Sequence, residues 1–188
     1  FRRWPAQWQY EQLADSFVSG AAQAGHQVET IALSEIEVKG CLAAMPAVTE
    51  SPVYSRMILI VLFRNSKRLT WLYLLPRCTF GQSRPNSKRF IERFYCIAQR
   101  DETPPYGRYE KYPVKDAALL MTSADDFFWT FEQAVSYYQF AIVNYIGFTD
   151  KGMLLAGGCG DTNGKPNIRS TAHLKSAYEF GKNIYHND

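Results

Sequence analysis

The feature that most constrains the fold is an uninterrupted apolar run followed by an amphipathic helix. In "KDAALLMTSADD" the residues from Ala117 to Met121 are all apolar, which is typical of a parallel strand buried on both faces. Small and polar residues, Thr122 to Asp125, follow the run and mark the carboxyl end of this strand. Helical spacing then places these residues on one apolar face: Phe131, Ala134, Val135, Tyr138, Ile142 and Tyr145.

Local signals predict where this helix begins and ends and which element comes next. Thr130 and Gln133 have the spacing of a capping box, and Gly147 is expected to end the helix. A second buried strand is predicted from Met153 to Ala156, with a glycine-rich exit at Gly157, Gly158 and Gly160. The last helix is predicted around "HLKSAYEFGKNI".

An α/β unit is also predicted near the start of the chain. From Glu11, helical spacing relates Leu13, Phe17, Ala21 and Ala24, and Gly25 stands where a left-handed cap belongs. A short β-branched stretch, "HQVETIAL", follows and predicts a strand that ends near residue 33. Helices and strands alternate, so we expect one α/β domain over residues 1–188, with a parallel sheet whose carboxyl edge binds ligands.

Composition narrows the classes of function. A net charge of +3 from 21 basic and 18 acidic residues lacks the clustered basic face of a nucleic-acid binder. "MILIVLF" is far shorter than the roughly 20 residues of a membrane span, and the chain opens on no signal-peptide pattern, so a cytoplasmic protein is expected. The scattered cysteines predict buried thiols and no metal site, and no histidine is assigned a catalytic role: Cys41, Cys78, Cys96, Cys159, His26, His173 and His186.

Two long stretches resemble the flavodoxin-like NADPH-dependent FMN reductase family, to which iron–sulfur flavoproteins are close relatives. They are "QLADSFVSGAAQAGHQVETIALSEIEVKGC" and "AALLMTSADDFFWTFEQAVSYYQFAIVNYIGFTDKGMLLAGGCG", the latter continued by "LKSAYEFGKNI". Together the resemblance covers about residues 11–41 and 89–185. It implies a three-layer flavodoxin-like fold, with a five-stranded parallel sheet of order 2-1-3-4-5 and helices on both faces.

The family's three other signatures are absent from the sequence as written: a phosphate loop like GSPRxNGNT, a cysteine segment like GCxxCxxC and a flavin loop like SPxYFxxxxA. The genetic code permits residues of each signature after a one-base shift of reading frame, in one direction over residues 42–88 and in the other at the start of the chain. "LTWLYLLPRCTFGQSRP" then permits ADVVVFASPLYFWTISA, "PAQWQYE" permits RRNGNT, and residues 44, 47 and 53 become cysteines. We therefore hypothesise frameshifts over residues 1–10 and 42–88. The alternative is a divergent insertion, in which Trp8, Gln9 and Tyr10 replace the glycine-containing loop that lets backbone approach a phosphate.

The resemblance implies an FMN-dependent oxidoreductase that takes hydride from NAD(P)H and reduces a quinone, a flavin or another small acceptor, as a homodimer or tetramer. It implies no catalytic side chain, because the cofactor performs the chemistry. An iron–sulfur cluster is the less favoured cofactor, since it requires the hypothesised cysteines at 44, 47 and 53. The implied flavin contacts are Gln7, Trp8, Gln9 and Tyr10 at the phosphate, and Pro76, Arg77, Cys78, Thr79, Phe80, Gly81, Thr122, Ser123, Ala124 and Asp125 at the ring.

Two other functions remain open from the sequence. A non-enzymatic electron carrier of flavodoxin type would bind FMN without oxidising NAD(P)H. A flavin-free α/β binding module is expected if residues 1–10 and 42–88 are correct as written. The glycines at 157, 158 and 160 fit either a backbone approach to the ring or a partner subunit, or a plain turn.

Overall fold

The structure, a computed structural model, describes residues 7–26, 28, 30, 72–74, 89, 91–92, 116–162 and 165–184. In chain order its elements are α1 (Gln7–Gln23), β1 (Leu72–Leu74), β2 (Asp116–Thr122), α2 (Glu132–Tyr138), a π-helix (Gln139–Tyr145), β3 (Thr149–Ala156), β4 (Asp161–Thr162), β5 (Lys165–Pro166), a 3-10 helix (Asn167–Ser170) and α3 (His173–Asn183).

The main sheet is parallel, with β2 between β1 and β3. Leu72 pairs with Ala117 on one side, and Thr122 pairs with Ala156 on the other. The described strands of this sheet therefore stand side by side in their order along the chain. The five-strand order 2-1-3-4-5 stays a prediction. Most of the stretch predicted as a strand, residues 26–33, lies outside the described residues; Val28, which is described, packs against the cluster formed with α1 and α3.

Both faces of β2 are covered, which confirms the prediction from its apolar run. Successive side chains of a strand point to opposite faces. Ala117, Leu119 and Met121 therefore belong to a cluster with α2 and the π-helix. Ala118 and Leu120 belong to a second cluster, with residues of α1 and α3. The described elements thus form three layers, with the sheet in the middle.

Helix α1 buries Leu13, Phe17 and Ala21, as its spacing predicts, whereas Ala24 is exposed. Gly25 has φ of 88° and its amide donates to the Ala22 carbonyl, so the left-handed cap is confirmed. The predicted start at Glu11 is wrong, because the helix begins at Gln7. The sequence "QWQY" contains no glycine or proline that would stop the helix from extending toward the N-terminus.

The capping box predicted at Thr130 and Gln133 is wrong. Helix α2 begins at Glu132, with Phe131 as its N-cap and no side-chain capping hydrogen bond. Thr130 Oγ1 instead accepts a hydrogen bond from the Phe127 amide at 3.0 Å. Threonine hydroxyls often bond locally in turns as well as at helix starts, so the spacing alone did not distinguish the two uses.

The helix after β2 does not stay α-helical, although its apolar face is buried as predicted. It continues from Gln139 to Tyr145 as a π-helix, and Gly147 follows with φ of 84°. The side chain of Asp150 in β3 accepts from the Tyr138 hydroxyl at 3.0 Å, from Gln139 Nε2 at 2.8 Å and from the Gly152 amide at 2.9 Å. This carboxylate therefore ties the α-to-π junction to the sheet.

Strand β3 is longer and more exposed than the predicted buried strand Met153–Ala156. It begins at Thr149, and Ala156 is its only fully buried residue. Met153 lies partly in solvent. The predicted C-terminal helix is confirmed as α3. Within the part of the chain that the structure describes, none of the helices has the length and apolar composition needed to cross a bilayer.

Candidate functional site at the carboxyl edge of the sheet

The loops that leave β2 and β3 run side by side beyond the ends of the strands. The amide of Ser123 donates to the Ala156 carbonyl at 2.9 Å, which continues the ladder one residue past β2. The β3 loop then donates back to the β2 loop through three amides: Cys159 to the Ser123 carbonyl at 2.9 Å, Gly160 to Ala124 at 3.1 Å and Gly158 to Asp125 at 3.2 Å. These bonds join Ser123, Ala124 and Asp125, three of the residues predicted to contact the flavin ring, to the β3 loop.

The glycines after β3 permit this loop-to-loop contact. A Cβ added at Gly157 would lie 2.1 Å from Asp126 Oδ1, and one added at Gly160 would lie 3.1 Å from the Ala124 carbonyl oxygen. Gly158 has φ of 65°, a conformation that residues with a Cβ rarely adopt. Contacts within the chain therefore explain these glycines, which favours the plain-turn interpretation over an approach to a ring or a partner.

The predicted ring contacts after β2 divide into a buried and an exposed pair. Thr122 and Ser123 are buried, whereas Ala124 and Asp125 are exposed. The carbonyls of Ser123, Ala124 and Asp125 all accept hydrogen bonds from the β3 loop, so the chain itself cross-links this backbone. A planar molecule would meet this loop chiefly at Ala124 and Asp125.

The N-terminus of α1 lies at the same edge of the sheet. Helix α3 begins beside the β3 loop, where His173 Nε2 donates to the Gly157 carbonyl at 2.9 Å. Helices α1 and α3 run parallel, because Arg169 Nε donates to Gln12 Oε1 at 2.9 Å and Ser16 Oγ donates to the Leu174 carbonyl at 2.6 Å. The predicted phosphate contacts at residues 7–10 form the first turn of α1, so the structure brings them to the edge that carries Thr122 to Asp125.

Some predicted contacts lie outside the described residues. These are the flavin-loop positions Pro76, Arg77, Cys78, Thr79, Phe80 and Gly81. The hypothesised cluster cysteines at positions 44, 47 and 53 also lie outside them. Among the residues that are described, no group of three or more His, Cys, Asp or Glu side chains is placed to hold a metal ion.

Cys159 is a buried free thiol, as predicted for the cysteines; Cys41, Cys78 and Cys96 are not described. Burial, and next the negative charge of Asp126, raise the pKa of this thiol to about 11. Its sulfur lies 3.4 Å from the Ala156 carbonyl oxygen. The thiol therefore stays protonated at neutral pH, which makes it a poor nucleophile and a poor metal ligand.

His173 was assigned no chemical role from the sequence, and its contact with Gly157 is structural. A carbonyl oxygen can only accept, so Nε2 carries the proton in this hydrogen bond. The bond joins the start of α3 to the end of β3. His186 lies outside the described residues.

A cluster of exposed aromatic rings beside this edge was missed by the sequence analysis. The helical spacing of Tyr138, Phe140 and Tyr145 favours packing in the core over a stacking cage, and Tyr138 is buried as this predicts. Phe127, Phe128 and Trp129, however, are 57%, 92% and 52% exposed, and Phe140 is 66% exposed. The signal for this cluster in the sequence was the run of three consecutive aromatic residues. An amphipathic helix or strand buries only one face, so it cannot bury three successive rings.

A solved structure is similar to the structure of this chain. The NAD(P)H:quinone oxidoreductase from Methanothermobacter marburgensis is 16% identical, with a TM-score of 0.67 over 96% of this chain and 90% of that chain. The two proteins share a fold. At this identity the likeness shows the fold and not the activity. No protein-family model matches the sequence, and no curated protein is significantly similar to it.

Proposed function

We propose that this protein is an FMN-dependent oxidoreductase that takes hydride from NAD(P)H and passes the electrons to a small acceptor such as a quinone. The observation that carries the proposal is the convergence of the α1 N-terminus and the rigid β2 loop at one edge of a parallel sheet. In open α/β sheets this edge is where cofactors bind. The family resemblance and the oxidoreductase that shares the fold support the same function.

The backbone of two described segments fits FMN, whereas a close approach of the phosphate requires the glycine-containing loop hypothesised in place of Trp8, Gln9 and Tyr10. Its phosphate is a dianion, and the amide groups and dipole of a helix N-terminus favour negative charge, so residues 7–10 would hold that group. Its ring is flat and needs a rigid loop along one edge. The β2 loop has that rigidity, because three of its carbonyls are bonded to the β3 loop. Ala124 and Asp125 would contact the ring.

Bound FMN would supply the redox chemistry, accepting hydride from a nicotinamide and releasing electrons to an acceptor. The chain would bind the phosphate, orient the ring and exclude water from one side of it. Cys159 and His173 are engaged in contacts within the chain, and neither is offered as a general acid or base. We propose no catalytic side chain.

The finer architecture belongs to the same proposal. β1, β2 and β3 would be the third, fourth and fifth strands of a five-stranded sheet with the order 2-1-3-4-5. Helices α1 and α3 would cover one face, and α2 with the π-helix the other. We further propose that the protein is a homodimer or tetramer, which sedimentation of the purified chain would test.

The test is steady-state oxidation of NADPH and NADH with added FMN and ferricyanide as the acceptor. We expect FMN-dependent turnover, and we expect Ala124→Trp to weaken FMN binding at least tenfold by filling the space against the loop. Glu179→Trp is the matched control, since Glu179 is exposed on α3. FMN binding with no NAD(P)H oxidation would identify an electron carrier instead. A protein indifferent to FMN would contradict the proposal and favour the binding module.

A further inference from the structure

We propose that Phe127, Phe128 and Trp129, called here the aromatic cluster, form with the carboxylates beside them a docking surface for an arginine-bearing segment of a partner protein. The three rings follow one another in the chain, and all are exposed. A contiguous exposed apolar patch of this kind marks an interaction site. The inference goes beyond the proposed function and does not depend on it, because the docking requires neither flavin nor nicotinamide.

The rings are ordered against one another. Phe127 and Trp129 are stacked, with centroids 4.9 Å apart and planes 8° from parallel. Phe128 meets Trp129 edge to face, with centroids 4.7 Å apart and planes at 82°. Both arrangements are favoured by aromatic pairs. Rings that already hold one another lose less side-chain entropy when a partner docks.

A closed turn presents the rings to solvent. The Phe127 amide donates to Thr130 Oγ1 at 3.0 Å, and the Thr130 amide donates to the Phe127 carbonyl at 2.9 Å. The Glu132 amide donates to the Trp129 carbonyl at 3.2 Å. Thr130 and Phe131, which come next in the chain, are buried and anchor this turn to the core.

The charge around the aromatic cluster is negative. Asp125, Asp126 and Glu132 are exposed and flank the three rings in the sequence. From residue 116 to residue 150 the chain contains five acidic residues and no lysine, arginine or histidine, although the whole chain carries a net charge of +3. The segment supplies no cation of its own to these carboxylates, so the surface is complementary to a positively charged partner.

Arginine satisfies the rings and the carboxylates with one side chain. Its guanidinium group is planar and stacks on aromatic faces, and its N–H groups pair with carboxylates. A purely apolar partner would cover the carboxylates without pairing them, which is costly. Lysine provides the charge but stacks less well, because its ammonium group is compact and strongly hydrated. The combination of rings and carboxylates therefore selects arginine.

A second copy of this chain fits the same surface less well. In a two-fold symmetric contact the surface faces itself. The carboxylates of Asp125, Asp126 and Glu132 in the two copies would then be brought to one interface, where like charges repel. A basic partner protein meets no such repulsion.

The experiment measures the binding of labelled hexaarginine, hexalysine and hexaglutamate to the purified chain by fluorescence polarisation. Hexaarginine is expected to bind about two- to fivefold more tightly than hexalysine, which has the same charge, and hexaglutamate is expected not to bind. Trp129→Ala and Phe128→Ala should each remove most of this preference for arginine. Phe140→Ala, which removes an exposed ring from the π-helix, is the matched control and should retain it.

The contribution of charge is tested separately. Glu132→Gln should weaken the binding of hexaarginine and hexalysine alike, by about twofold, because it removes one carboxylate from the surface. Glu179→Gln, at an exposed position on α3, is the matched control and should change neither affinity. Raising the NaCl concentration should weaken both peptides and leave the ratio of their affinities in place, since salt screens charge and not stacking.

Three outcomes would overturn the inference. Equal affinities for hexaarginine and hexalysine would show that the rings take no part in binding. Affinities unchanged by Trp129→Ala and Phe128→Ala would place the peptides elsewhere on the protein. If either variant lowers the sedimentation coefficient and leaves peptide binding unchanged, the aromatic cluster is an interface between copies. Urea denaturation of each variant confirms that binding is measured on folded protein.

Discussion

The two helical layers on either side of β2 are held in different ways. On one side α1 and α3 touch backbone to backbone: a Cβ added at Gly181 would lie 2.1 Å from the Phe17 carbonyl oxygen, and one at Gly20 would lie 2.0 Å from that of Tyr178. On the other side, large side chains such as Tyr138 and Ile142 fill the space, and Asp150 anchors the layer by hydrogen bonds. The layer of α1 and α3 depends on glycines, whose missing side chains let the two backbones meet, and the opposite layer depends on the Asp150 carboxylate. Different substitutions therefore disrupt the two layers.

Gly181→Ala is expected to have the largest effect, because the new methyl group would meet the Phe17 carbonyl, part of a helix that cannot shift alone. Overpacking of this kind costs about 3 kcal/mol. Urea denaturation would measure it. Glu179→Ala, at an exposed position two residues earlier on α3, should change stability by less than about 0.5 kcal/mol. Equal stabilities for the two variants would contradict backbone contact between α1 and α3.

Asp150→Ala is expected to destabilise the opposite layer by about 2 kcal/mol, since it leaves the buried Tyr138 hydroxyl and the Gln139 side chain without their acceptor. Asp150→Asn keeps one oxygen and should lose less. Combining Asp150→Ala with Tyr138→Phe should cost less than the sum of the two single changes, because they remove the same hydrogen bond. Additive losses would show that the bond contributes nothing to stability.

Alkaline pH is expected to weaken both layers. Burial raises the pKa of Tyr137 to about 12, with Glu92 adding to the shift, and raises that of Cys159 to about 11. Burial and then Asp150 also raise the pKa of Tyr138. The unfolded chain releases these protons at lower pH than the folded chain, so stability is full below about pH 9 and falls as pH rises toward 12.

Thermal melts between pH 7 and 12 would follow this loss. Cys159 packs with α1 and α3, whereas Tyr138 packs with the opposite layer, so the two contributions can be separated. Cys159→Ala should remove the part of the stability loss that the thiol causes between pH 9 and 11. The loss that the tyrosines cause above pH 10 should remain. An unchanged profile in this variant would place the thiol outside the core.

Thr130→Val is expected to have the smallest effect, about 1 kcal/mol, because it removes one hydroxyl that accepts from the Phe127 amide. Thr130→Ser retains the hydroxyl and should stay close to the original stability. The same urea titration serves for both. If the serine variant is destabilised as much as the valine variant, packing of the threonine methyl group and not the hydrogen bond fixes the turn.

Periodicity predicted the elements that lie against the sheet. Ala117 to Met121, Phe17 and Tyr138 are buried, because a strand covered on both faces and the inner side of a helix exclude polar residues. The π-helix left no such signal, since Ile142 keeps helical spacing and is buried in either helix type. The contact at Gly181 was also invisible, because a glycine inside a helix does not specify which backbone approaches it.

For the site, the sequence predicted the convergence of elements but not its details. The resemblance assigned Thr122 to Asp125 and the start of α1 to one flavin site, and in the described structure both lie at the carboxyl edge of the sheet; their contact with a flavin stays a prediction. The start of α1 at Gln7 depends on how far the helix extends before its first buried residue. The exposure of Phe127 to Trp129 depends on the hydrogen bonds of a turn. Neither feature leaves a periodic pattern in the sequence.

The frameshift hypothesis for residues 1–10 and 42–88 concerns the covalent chain, so mass decides it. The sequence as written corresponds to 21.5 kDa. We expect the protein from its natural source to differ from the mass of this sequence, since many residues would change. Agreement to within about a dalton would show that the written residues are correct and that the missing signatures are a divergent insertion.

The most direct test of the central claim compares FMN with riboflavin, which has the same ring and lacks the phosphate. If the first turn of α1 holds the phosphate, calorimetric titration should show FMN bound at least about tenfold more tightly than riboflavin, equivalent to about 1.4 kcal/mol. Equal affinities, or no binding of either flavin, would contradict a cofactor site at this edge of the sheet.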